Sequence, residues 1–104
     1  MIAIGIGSNL GNSLRMIERV MPCLERLARA ESFQSSSIWV TSPVNCPPGS
    51  PNFLNSVVLF ELKNALTPLE LMLELQLLER KFGRSKTDVV IAPRLIDLDL
   101  LLFE

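Results

Sequence analysis

Ala92-Pro93-Arg94-Leu95-Ile96-Asp97-Leu98-Asp99-Leu100-Leu101-Leu102-Phe103 is the stretch that decides how the rest of the chain is read. From Leu95 onward the run is apolar apart from two carboxylates, and such a run reads as a β-strand. Strand side chains alternate between faces, so Asp97 and Asp99 point the same way, roughly 6.5–7 Å apart at ~3.3 Å per residue. Two ionised carboxylates side by side repel unless something positive lies between them. Mg²⁺ takes oxygen ligands, usually one or two carboxylates completed by water and phosphate. Asp97 and Asp99 are therefore candidate metal ligands, and Arg94, just upstream, is a candidate phosphate partner. The same pattern equally describes two aspartates on the wet face of a half-buried strand.

Working outward from this strand gives the order of elements. Ile2 to Ile6 is a short apolar strand that enters Gly7-Ser8-Asn9-Leu10-Gly11-Asn12, a dense turn signal. Leu14, Ile17, Val20, Met21, Leu24 and Leu27 then recur at three- and four-residue spacing, which predicts one amphipathic helix. Pro22 falls inside it and is expected to kink the helix or cost it about 3 kcal/mol. Phe33 to Val40 reads as a second strand with a Ser-rich alternating pattern. The following segment to Asn52 carries Pro43, Pro47, Pro48, Gly49 and Pro51, so a long, stiffened loop is expected.

Phe53 to Leu62 reads as a third strand. Thr67-Pro68-Leu69-Glu70 supplies a helix start, with Thr as N-cap, Pro in the first turn and Glu three residues after the cap. That helix carries Leu71, Leu75, Leu78 and Phe82 on one face and is expected to stop at Gly83. A polar connector, Arg84 to Asp88, leads into the last strand. The order β-α-β-β-α-β is the ferredoxin-like arrangement. The expected class is α+β, an antiparallel sheet with two helices on one face.

Bulk properties bound the function. A chain of 104 residues, 48% hydrophobic, suits a single domain over 1–104 with a real core. Ten basic against eleven acidic residues give a net charge of −1, without the basic excess of a nucleic-acid surface. No apolar run approaches the ~20 residues of a membrane span, and no basic-then-apolar leader opens the chain. A cytoplasmic location is expected. Cys23 and Cys46 are too few for a disulfide scaffold and lack metal spacing. The chain has no His, so the commonest general base and zinc ligand are missing.

Several smaller constellations have two readings. Gly5-Ile6-Gly7-Ser8-Asn9-Leu10-Gly11 looks like a dinucleotide fingerprint, but its third glycine comes one residue late and no acidic residue closes a second parallel strand. A tight strand-to-helix turn would need these glycines anyway, and Ser8 and Asn9 sit where polar ligands are held. Trp39 and Phe53 flank the proline-rich loop, and Trp39 reads as core. Asn55 is an amide in an apolar strand, offering donor and acceptor to a heterocycle's edge. Arg80, Lys81, Arg84 and Lys86 fit a solvated helix cap and a phosphate clamp equally well.

Taken together, Gly7-Ser8-Asn9-Leu10-Gly11-Asn12, Thr41-Ser42-Pro43-Val44, Pro51-Asn52-Phe53-Leu54-Asn55, Glu79 through Gly83-Arg84, and Ala92-Pro93-Arg94 followed by Ile96-Asp97-Leu98-Asp99 resemble the 6-hydroxymethyl-7,8-dihydropterin pyrophosphokinase family. The five segments occur in order over the whole chain. The resemblance implies transfer of pyrophosphate from ATP to the hydroxymethyl group of a reduced pterin in folate synthesis, releasing AMP. It implies that Asp97 and Asp99 hold two Mg²⁺ ions bridging the ATP phosphates, and that Arg84 and Arg94 neutralise charge on the transferred group. Gln76, Glu79 and Leu100 match ATP-contacting positions. Phe53 matches one face of an aromatic sandwich around the pterin, and Asn55 the residue that reads its edge. Gly7 and the main chain of Thr41, Ser42, Pro43 and Val44 would complete that pocket. Phosphoryl-type transfer needs positioning and charge neutralisation more than a strong base.

Family members continue past the aspartate strand with a His-Pro segment, further ATP contacts and a second pterin aromatic. The resemblance therefore implies a core without that extension and a pocket that is half-walled. Two further readings remain open at this point. One is a non-catalytic binding or oligomerisation module that kept the fold and self-associates through an uncovered sheet edge. The other is a small regulatory domain for some other ligand, which leaves Arg94, Asp97 and Asp99 unexplained.

Overall fold

Ile2, Ile4 and Ile6 alternate with Ala3, Gly5 and Gly7, and this two-residue period sets the two faces of the sheet. The computed structural model describes residues 1–9, 11–43, 48–82 and 96–104. Its elements are β1 (Ile2–Ser8), α1 (Ser13–Glu25), β2 (Gln34–Ser35), β3 (Trp39–Thr41), β4 (Phe53–Phe60), α2 (Pro68–Phe82) and β5 (Asp97–Phe103). The three isoleucines of β1 are fully buried with Ile17, Val20 and Leu24 of α1, Leu71 and Leu75 of α2, and Val58 and Phe60 of β4. Burying one such side chain contributes about 1.5–3 kcal/mol, so this one apolar layer is what fixes both helices to the same face.

The strands are ordered β2–β4–β1–β5, with β3 also pairing β4, and every pairing is antiparallel. β4 therefore lies between β1 and the strands that follow α1, which is the split βαβ of the ferredoxin-like α+β fold. Among the described strands, β5 has one paired neighbour and forms an edge.

The second strand differs from the uninterrupted Phe33–Val40 expected above. Ser35 lies opposite Val58, yet Trp39 lies opposite Asn55, so the outer strand carries one extra residue between β2 and β3. Ser36 explains the break. Its hydroxyl accepts the Val57 N–H at 2.9 Å, while its own N–H donates to the Val57 carbonyl at 2.8 Å. A side chain thus replaces one rung of the ladder, which is a β-bulge. β4 also ends at Phe60, two residues early, and Leu62 only bridges to Ala28.

Local signals account for the helices. The Asn12 side chain accepts the Arg15 N–H at 3.1 Å and caps α1. Leu14 lies on the expected apolar face but is 47% exposed; Ile17, Val20 and Leu24 are buried, and Met16 and Met21 pack against the core. Pro22 sits one turn from the end of α1, and both it and Glu18 are exposed. The Glu18 carbonyl that Pro22 deprives of an amide is therefore open to water, which lowers the cost of the missing bond. Gly5 is a strand residue as expected, and Gly7 and Ser8 extend β1 instead of opening the turn; of these three glycines, Gly11 alone, at φ 63°, takes the left-handed conformation. The Gly83 stop, the connector from Arg84 to Asp88, and Ala92 to Leu95 of the quoted strand lie outside the described residues.

α2 starts with a reciprocal capping box. Thr67 N–H donates to Glu70 Oε1 at 2.9 Å, and Glu70 N–H donates to Thr67 Oγ1 at 3.1 Å. The Thr67 N–H, and secondarily the Thr67 hydroxyl, hold the Glu70 carboxyl below the ordinary glutamate range. A carboxyl lowered in the folded state adds stability above its unfolded pKa of about 4.3, and that stability disappears as pH falls through the lower folded value. Glu70→Ala is thus expected to lower the melting temperature at neutral pH, and the gap to wild type should close in acid, below that lowered value. A gap of equal size at both pH values would show that the carboxylate charge is not what caps the helix.

Candidate active site

The face of the sheet away from the helices carries an ordered row of side chains. Directly opposed residues in antiparallel strands share a face. Gly7 of β1 lies opposite Asp97 on one side and Asn55 on the other, and Asn55 in turn lies opposite Trp39. One step along, Gly5 lies opposite Asp99 and Val57. The two glycines leave a bare backbone floor between the aspartates of β5 and the side chains of β3 and β4.

Two clefts meet at the aspartates. A cleft of about 300 Å³ between α2 and β5 is lined by Met72, Gln76, Glu79 and Leu100 together with Asp97 and Asp99. A second, of about 260 Å³ on the open face, is lined by Gly7, Trp39, Phe53, Asn55 and Leu101, again with Asp97 and Asp99. Volumes near 300 Å³ are at the lower end of what holds a small molecule. The candidate residues read from the sequence thus sort into two groups. Gln76, Glu79 and Leu100 line the first cleft, while Gly7, Phe53 and Asn55 line the second. Among the described candidates, Asp97 and Asp99 alone belong to both.

Individual side chains are positioned by specific bonds. The Asn55 amide nitrogen donates to Thr41 Oγ1 at 2.9 Å and to the Trp39 carbonyl at 3.4 Å. With the nitrogen so held, Asn55 Oδ1 is turned over the floor, 3.6 Å from where a Gly7 Cβ would stand. Thr41 reaches the second cleft through Asn55, and Ser42 and Pro43 line neither cleft. Glu79 is 4% exposed, and its Oε2 accepts the Leu98 N–H at 2.9 Å. Leu98 lies between the two aspartates, so this bond ties α2 to the part of β5 that presents them. Asn9 donates to the Pro51 carbonyl at 3.4 Å, joining the turn after β1 to the proline-rich loop. Val44, Arg84 and Arg94 lie outside the described residues.

The donor set fits a hard cation delivered with phosphate. Asp97 and Asp99 present carboxylate oxygens on one strand face, and among the described residues no group of three or more acidic, Cys or His side chains forms a cage. Mg²⁺ bound by one or two carboxylates completes its shell with water and substrate phosphates, whereas a self-sufficient site needs more protein ligands.

Met72, Gly5, Trp39, Val57 and Leu101 are among the lining residues that the sequence does not single out as site residues. Trp39 was assigned to the core but is 42% exposed, because the bulge between β2 and β3 reverses its face. Gly5 lies inside the expected Ile2–Ile6 strand, and its alternation with Ile4 and Ile6 is the signal for a floor. Val57 follows from Asn55 by the same two-residue period. Leu101 is the extra residue of a second irregularity, where Ala3 faces Leu102 and Ile4 faces Leu100; no sequence signal marks it.

Fold and site together define a ferredoxin-like domain whose paired aspartates stand between two clefts. Residues 3–104 match the family model of 7,8-dihydro-6-hydroxymethylpterin-pyrophosphokinase, and the chain belongs to that family. It is 36% identical to the 2-amino-4-hydroxy-6-hydroxymethyldihydropteridine pyrophosphokinase of Bacillus subtilis, over 96% of this chain and 58% of that protein. Its identity to the Pseudomonas aeruginosa protein of the same name is 33%, over 98% and 60%. A folate synthesis bifunctional protein of Chlamydia caviae is 35% identical over 98% of this chain and 23% of its own length. The chain thus spans about three-fifths of the length of the two pyrophosphokinases. Among the described residues, no helix is long and apolar enough to cross a membrane.

Proposed function

We propose that this chain carries the pyrophosphokinase reaction: the hydroxymethyl oxygen of 6-hydroxymethyl-7,8-dihydropterin attacks the β-phosphorus of ATP. The bond from that phosphorus to the α,β-bridging oxygen breaks, AMP leaves, and the hydroxyl proton passes to water. The observation that carries this reading is the position of Asp97 and Asp99 at the junction of the two clefts. A group transferred between two bound molecules has to cross the point where their sites meet.

Each residue then has a task. Gln76, Glu79 and Leu100 line the ATP side, with Glu79 also holding β5 through Leu98. Phe53 packs on the pterin ring, and Asn55 Oδ1 accepts from the donor edge of the heterocycle. Gly7, with Thr41, Ser42, Pro43 and Val44, forms the backbone surround. Asp97 and Asp99 would hold two Mg²⁺ ions, which screen the phosphate charge and orient the phosphates for in-line attack. Arg84 and Arg94 would neutralise charge on the transferred group. Positioning and electrostatics supply most of the rate in phosphoryl transfer, and these residues are arranged for both.

The test is AMP release from ATP and Mg²⁺ with and without 6-hydroxymethyl-7,8-dihydropterin. Pterin-dependent AMP is expected. A folded protein that binds both substrates yet releases no AMP would make this chain a binding module instead.

A further inference from the structure

Trp39 is the chain's one tryptophan, and the roles assigned above leave it unused. Its side chain lines the open-face cleft beside Phe53, Asn55 and Gly7, and it makes no ring stacking or cation contact among the described residues. An indole is a large apolar surface that a fold ordinarily buries, so its exposure calls for a physical cause.

One inserted residue supplies that cause. β2 pairs with Gln34 opposite Leu59 and Ser35 opposite Val58. Continued in that register, Trp39 would fall opposite Leu54, which packs against the core. The extra residue shifts the pairing so that Trp39 falls opposite Asn55 instead, and a shift of one residue moves a side chain to the other face. The break is held in place by Ser36, through its bonds to Val57 and a 3.1 Å contact between its hydroxyl and that of Ser56. Bulges beside sites commonly re-aim a side chain in this way.

We propose that Trp39 is a specificity-determining residue whose indole stacks on the planar bicyclic heterocycle, forming the wall of the second cleft that faces the aspartates across the glycine floor. This rests on the pterin reading above. Stacking on an aromatic face is tolerant of which heterocycle is bound but demands that it be flat. Trp39 therefore admits only a flat ring system, and Asn55 reads which one by its edge. The Trp39 carbonyl that accepts from Asn55 survives truncation of the side chain, so Trp39→Ala removes the ring and leaves Asn55 held.

The test titrates 6-hydroxymethyl-7,8-dihydropterin into wild type, Trp39→Phe and Trp39→Ala, each with Mg²⁺ and a non-hydrolysable ATP analogue. Affinity for the Mg²⁺-bound analogue alone is measured in parallel. Trp39→Ala should bind pterin about tenfold or more weakly, the scale of one lost stack. Trp39→Phe should stay near wild type, nucleotide affinity should be equal in all three, and pterin should change the single-tryptophan emission of wild type. Wild-type pterin affinity in Trp39→Ala overturns the inference, as does a parallel loss of nucleotide affinity, which would mark a structural role. If wild type itself binds no pterin, the functional reading fails and takes this inference with it.

Discussion

Asp97→Asn and Asp99→Asn should each abolish Mg²⁺-dependent nucleotide binding while leaving the protein folded. Both side chains stand on the open face opposite glycines, so an isosteric amide meets no new neighbour on β1. What it removes is a negative oxygen ligand, and Mg²⁺ depends on hard anionic oxygens. Loss of a group that merely orients a metal ligand typically costs 10–100-fold in metal affinity or activity, so loss of a ligand itself should exceed about 100-fold. The melting temperature should stay within about 4 °C of wild type, corresponding to less than ~1 kcal/mol for a domain of this size. Calorimetric titration with ATP, with and without Mg²⁺, reads the effect directly. Unchanged Mg²⁺-dependent binding in both variants would remove the metal assignment and leave two aspartates on the wet face of a strand.

The two aspartates also show how much of the fold and site was legible in advance. The apolar run with carboxylates two apart fixed β5 and its two faces, because the pleat has a period of two whatever the tertiary context. The periodicities of α1 and α2, and the capping box at Thr67, are likewise local chemistry that the fold had no reason to override. The failures lie where geometry depends on a partner strand. Nothing in Phe33 to Val40 announces that Ser36 will give its hydroxyl to Val57, since that acceptor matters only once β4 is alongside. The resulting one-residue shift turned Trp39 from an expected core residue into a cleft wall. Glu79 shows a different limit: a helix glutamate that the family resemblance matches to a nucleotide-contacting position is buried and bonded to the backbone of β5. A local pattern can place such a carboxylate on a face, but only the packed structure says which amide it meets.

Gly7→Val should separate stability from binding in the opposite sense to a core mutation. Gly7 has ordinary extended strand geometry rather than a positive φ, so a side chain meets no backbone strain there. An added Cβ would stand 3.6 Å from Asn55 Oδ1, an ordinary contact. Replacing a strand glycine with a β-branched residue removes unfolded-state entropy and suits the pleat, effects of about 0.5–1 kcal/mol each. Stability should therefore hold or rise. The isopropyl group, however, would occupy the floor between Asp97 and Asn55, where the heterocycle is proposed to lie. A displacement of ~1 Å at a reacting centre can cost about 100-fold, so pterin-dependent kcat/KM should fall by at least that much. Gly7→Ala should give a smaller loss of the same sign. ATP affinity should survive in both, since Gly7 does not line the cleft between α2 and β5. Gly5 makes a less clean test, because its added Cβ would come within 3.3 Å of Leu101 Cδ1 and press on a side chain that also lines the cleft. Wild-type pterin turnover in Gly7→Val would show that the bare floor is a by-product of strand packing and that the heterocycle binds elsewhere. A collapse in stability would show instead that the glycine is required by the sheet itself.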